Sequence, residues 1–217
     1  MANVKQQLEI PPVPPLGSSG IVYSQNVQNQ NNNLLRLFFI RLSGVLSSLI
    51  GPNGGSYINN PHGAFQDSTD QTAASTTTAY AITFNTTDFS NYVTLSNSSH
   101  LNVQNSGIYN VQFSIQFKNT TNDTQEVDVW FRKNGTDIPA SNSRFGFPPR
   151  KSSGDPSHLI AAMNFFVSLE KNDYIQLMWR TPDLGVSIEH YAAGTSPTRP
   201  VIPSVIVTIS FVSNLPT

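Results

Sequence analysis

His62, His100, His158 and His190 are the four imidazoles of the chain, and cysteine is absent. Zinc sites take His and Cys at short, fixed spacings, and no two of these histidines are so spaced. No metal and no other cofactor is expected. Carboxylates are sparse. Glu126 and Asp128 would share one face of a strand. Paired carboxylates can cleave a glycosidic bond, but only where they line a cleft; these two read as outward positions of an exposed strand. Neither a Gly-x-Ser-x-Gly elbow nor a Gly-rich phosphate loop occurs. Asn-x-Ser/Thr triplets begin at Asn85, Asn97, Asn119, Asn122 and Asn134, as chance produces in a chain so rich in Asn, Ser and Thr. The residues predict no enzyme.

The aromatic residues are more informative. Trp130 falls on the polar side of its segment, so it is a candidate partner contact, by stacking on a sugar ring or by meeting another subunit. Trp179, within IQLMWR, reads as packing. Phe145 and Phe147, followed by Pro148 and Pro149, are apolar for the long loop expected over 141–157, and they are also candidate partner contacts.

These residues hang on a series of short β-rich segments. Strands are expected near 63–66, 78–84, 92–95, 99–103, 107–117, 125–134, 158–168, 173–180, 186–191 and 204–212. In 107–117, Tyr109, Val111, Phe113, Ile115 and Phe117 alternate with Asn110, Gln112, Ser114 and Gln116. That is the period of a strand with one face in a core. Asn134-Gly135 and Glu170-Lys171-Asn172-Asp173 supply turns. About ten antiparallel strands joined by turns predict an all-β jelly-roll sandwich over 62–217.

The N-terminal part differs. Pro11, Pro12, Pro14 and Pro15 predict an extended arm over 1–33, which includes the polar run 25–33. The arm is either a disordered tail or a tether that orders on docking. A short helix is expected from 34, capped by Asn33 and stopped by Gly51-Pro52, within a segment 34–61 that trimerises or anchors. Leu35, Phe38, Leu42, Val45 and Leu49 recur at alternating intervals of three and four, a heptad seam. Further apolar residues flank that seam. One short helix cannot hide so much apolar surface, so it packs under the β-domain or against copies of itself.

Only 12% of residues are charged and the formal net charge is −1. Phosphate backbones are bound by clustered Lys and Arg, so nucleic acid is excluded as the main partner. The start, MANVKQQLEIPPVPP, lacks the basic and apolar regions of a secretion signal. The apolar segment 34–50 carries Arg36 and Arg41 and is short for a membrane span.

The order Gly107-Ile108-Tyr109, a Phe-rich strand, a polar hairpin, a long apolar strand, Asp173-Tyr174-Ile175-Gln176-Leu177 and a β-branched last strand resembles the ten-strand jelly roll of tumour-necrosis-factor-like and complement-type heads. A closer resemblance is to jelly-roll virion structural proteins of tailed bacteriophages. It is carried by GAFQDSTDQTAASTTTAYAITFNTTDFS (63–90), VDVWFRKNGTDIP (127–139) and AAGTSPTRPVIPSVIVTISFV (192–212), and it covers about 62–213. The resemblance implies a homotrimeric, non-enzymatic component of a virion, either associated with a tail fibre or spike or decorating the head. Residues 1–60 would then dock on other virion proteins, and a host surface glycan is a candidate partner of the displayed domain. Assembly inside the host would explain the missing secretion signal. The alternative is a soluble carbohydrate-binding module.

Overall fold

The computed structural model describes residues 11–18, 22–50 and 60–215. The chain divides into two units, Met1–Asn59 and Asn60–Thr217.

In the first unit, helix α1 spans Gln25–Ile50. It therefore starts well before the expected position, and the polar run 25–33 forms its first turns rather than part of an extended arm. The cap is Ser24, not Asn33: its carbonyl accepts from Gln28 N at 3.1 Å and its Oγ from Val27 N at 3.5 Å. Asn31 is also held from outside the helix. Its amide oxygen accepts from Gly17 N at 3.0 Å and its amide nitrogen donates to Gly17 O at 2.9 Å. The Pro-rich segment thus runs beside the first turns of α1 and supports residues with little helix preference of their own. Gly51 and Pro52, the expected stop, lie outside the described residues. Leu35, Phe38, Leu42 and Val45 are half-exposed along one stripe. Leu37, Phe39, Ile40, Leu46 and Leu49 are exposed. Among the described residues of α1, no apolar side chain is buried.

The second unit is an all-β jelly-roll sandwich. Its strands are β1 (His62–Asp67), β2 (Gln71–Thr72), β3 (Tyr80–Ala81), β4 (Thr86–Asn91), β5 (Val93–Ser96), β6 (His100–Val103), β7 (Gly107–Asn119), β8 (Gln125–Lys133), β9 (Thr136–Asp137), β10 (Ser143–Phe147), β11 (Ser157–Leu169), β12 (Tyr174–Arg180), β13 (Val186–Ile188), β14 (Gly194–Thr195), β15 (Thr198–Arg199) and β16 (Val205–Ser213). The first sheet runs β11-β7-β16-β1-β4, with β13 continuing the lane of β16 along the end of β7 and β2 beyond it. The second runs β10-β8-β12-β6-β5, with β3 and β9 as short additions to β12 and β8. All pairings are antiparallel. Strands β14 and β15 form a separate hairpin.

Alternation explains this arrangement. In β7 every odd position from Gly107 to Asn119 is buried, and β8 turns Val127, Val129 and Phe131 inward. Trp179, Tyr109, Phe65 and Phe117 are among the largest side chains sealed between the sheets. Burial pushes the Tyr109 phenol up to about 12, and its hydroxyl donates to Asn105 O at 2.8 Å. Asn134 and Gly135 have φ of 49° and 81°, the left-handed pair that a two-residue hairpin turn requires.

Several segments differ from expectation: the two-residue strands β2, β9, β14 and β15 are not among those expected, the strand expected over 78–84 is only Tyr80–Ala81, and two longer segments differ as well. The loop over 141–157 contains β10, which pairs with β8 from Ser143↔Val129 to Phe147↔Gln125. Its inward Phe145 and Phe147 carry the alternation, but the strand is short and enclosed by Pro, Gly and Ser. Strand β4 is not foreseen at all, because it buries none of its six residues and so leaves no periodic trace.

Candidate functional site

The four histidines are dispersed. His100 stacks on Tyr174 at 3.9 Å between ring centroids, His158 meets the Tyr191 hydroxyl at 3.1 Å, and His190 lies 3.9 Å from Asp70. Among the described residues, no group of three or more His, Asp or Glu comes together as a metal could require.

The outer faces of the two sheets have opposite character. On the second sheet the β10-β8-β12 ladder places Arg144, Asp128 and Arg180 side by side. Asp128 is 4% exposed. It accepts from Arg144 Nε and Arg180 Nε, each at 2.8 Å, while Glu126 stands 3.4 Å from Arg144. Burial raises the Asp128 carboxyl, but the hydrogen bonds and charges of the two arginines outweigh it and hold the group below its usual range. A carboxylate so held is a poor proton donor. Glu126 and Asp128 thus form an ion-pair ladder, not an acid–base pair facing across a cleft.

Trp130 is on this same face and half-exposed. Its Nε1–H donates to Asp137 Oδ1 at 2.8 Å, and Arg132 Nε donates to the same oxygen at 2.7 Å. These hydrogen bonds hold the Asp137 carboxyl below its ordinary value, that from Arg132 foremost. The tight Asn134-Gly135 turn makes the contact possible by returning Asp137 opposite Arg132. A cavity of about 270 Å³ opens here, lined by Asp128, Trp130, Asp137, Ile138, Asn142 and Arg180.

Of the two phenylalanines of β10, Phe147 needs correction as a partner contact. Phe147 is 2% exposed and sits 6.3 Å from Phe117 in the core, so it is unavailable to a partner. Phe145 is half-buried and packs against the core. Trp179 is core, as expected, at 1% exposure.

The first sheet presents an almost uncharged outer face. Across β7, β11 and β16 the only Lys, Arg, Asp or Glu is Lys118. The face instead carries Asn110, Gln112, Ser114, Ile206, Thr208 and Ser210. At its edge, β11 is a strand of 13 residues that pairs in unbroken register with β7 alone. Ile160 and Phe166 on it are 61% and 56% exposed. Beside them lies an apolar groove of about 390 Å³ that includes Ile138, Pro139, Phe165 and Phe166. Sequence reasoning found this strand but not its open face. The available signal was that HLIAAMNFFVSL is apolar at both parities, the mark of a strand to be covered on both sides.

Comparison of the chain with protein-family models and with curated proteins finds no match. Among the described residues no helix is long and apolar enough to cross a membrane.

Proposed function

We propose that the protein is a non-catalytic structural component of a bacteriophage virion, displayed as a homotrimer of jelly rolls. The observation that carries the assembly is the pairing of two unlike surfaces on one sheet: the exposed β11 edge and the uncharged face of β7 and β16. Interface cores are depleted of charge. A long edge strand without Lys, Pro or bulge is a template for pairing with another chain. An edge packing on a neighbour's face is a heterologous contact, and such contacts close into a ring where the rotation between copies allows it and otherwise run on as a filament. A closed ring of any number of copies satisfies every edge and every face, and the sequence resemblance to trimeric jelly rolls is what implies three. The heptad stripe of α1 adds a second self-associating surface. The unit carrying α1 then serves to dock on other virion proteins, and the sandwich is displayed.

The test is association with particles. Antibodies against the sandwich should decorate purified virions at fixed positions, and the full chain should co-sediment with particles lacking it, whereas residues 60–217 alone should not. Absence of the protein from purified particles would overturn the virion reading.

A further inference from the structure

We propose that the cavity beside Trp130, on the outer face of the second sheet, is a saccharide subsite that takes one neutral pyranose residue of a longer chain. The first ground is the indole. Its N–H is already committed to Asp137, and that carboxylate is itself fixed by Arg132. The ring is therefore held in place before any ligand arrives, and the surface left to offer is apolar. Met178, opposite Trp130 in the β8–β12 ladder, is buried on this same face and backs it. A rigid aromatic plane suits the C–H face of a sugar ring and loses little entropy on binding.

The second ground is hydrogen-bonding capacity. Among the described residues, the Asn142 amide, the terminal nitrogens of Arg180 and Asp137 Oδ2 line or border this cavity without a partner. Vicinal hydroxyls each donate and accept, so a site for them needs both kinds of group beside the apolar plane. The third ground is charge. Glu126, Asp128 and Asp137 are matched by Arg132, Arg144 and Arg180. No surplus cation remains for a phosphate or a uronic acid, so the ring is neutral. The volume, about 270 Å³, is below the roughly 300–1,000 Å³ of sites for larger ligands. One ring of a chain lying across the surface fits that size. The subsite lies on the sheet opposite the uncharged face and borders the groove beside β11, with which it shares Asp137 and Ile138.

Tryptophan emission of the full chain tests this directly, since Trp179 is sealed at 1% exposure and Trp130 reports alone. The probes are the methyl glycosides of glucose, galactose, mannose and N-acetylglucosamine, and short oligosaccharides of each. At least one series should give a saturable emission change, with a dissociation constant on the order of millimolar for a contact this small. Saturation-transfer NMR of the same glycosides reads the variants that lack the indole: Trp130→Ala should abolish binding and Trp130→Phe should retain part of it. Asn142→Ala should weaken binding about tenfold without altering the circular dichroism spectrum, and it carries the test if Trp130→Ala fails to fold. No saturable response to any of these sugars would overturn the proposal. So would binding that Asn142→Ala leaves unchanged, or binding of sialosides and uronides alone. The mass of the same sample reads the assembly separately, so either proposal can fail without the other.

Discussion

Asp128 on β8 accepts the Nε–H of Arg180 on β12 at 2.8 Å across the ladder of the second sheet. With Arg144 on its other side, this carboxylate is ionised in the fold although almost fully buried. Its folded value lies below the unfolded value of about 3.9. The ion pairs therefore stabilise the sandwich above about pH 4, and that contribution is lost as pH falls through the folded value. Thermal melts of the wild type should drop steeply below about pH 4. Asp128→Asn should lower stability by about 2 kcal/mol at neutral pH and flatten the acid limb. Parallel acid limbs for the two proteins would show that Asp128 is not the group responsible.

The two phenylalanines of β10 separate core from edge. Phe147→Ala should cost about 3–5 kcal/mol, because it empties a sealed position beside Phe117. Phe145→Ala, at a half-buried position, should cost clearly less. Urea denaturation of both variants measures the difference, and equal losses would place the two side chains in equivalent surroundings.

The alternation in 109–117 is legible because one parity is apolar throughout and the strand is long. Strand β4 is not legible, since a strand that buries nothing has no pattern to leave. The start of α1 is hidden for a different reason: a run of Asn and Gln reads as low complexity, whereas the contacts that make it helical are the Ser24 cap and the Gly17–Asn31 pair. Around Trp130 the Asn134-Gly135 turn is readable, and it brings back Asp137. Asn142 and Arg180 arrive from elsewhere in the chain, so the cavity exists only once the sheet is paired.

Leu42 and Leu49 lie on the heptad stripe of α1, and no partner among the described residues of their own unit buries them. Leu42→Asp and Leu49→Asp should therefore leave the sandwich's melting transition unchanged while weakening self-association, because a charge in a bundled seam is costly. Sedimentation velocity across a concentration series reads the second effect. Unaltered association in both variants would remove α1 from the interface.

The β11 edge gives a complementary variant. Ile160→Lys with Phe166→Lys places two charges at positions that are exposed in a single protomer. Lysine on an edge strand blocks pairing and packing there. The variant should keep its β spectrum and run at a smaller hydrodynamic size than the wild type. An unchanged size would move the contact to another part of the sandwich.

The mass of the unmodified chain in solution is the decisive quantity. Light scattering or native mass spectrometry at micromolar concentration should give three times the 23.8 kDa of one chain. A stable monomer or a dimer under the same conditions would contradict the trimer built from the β11 edge and the uncharged face.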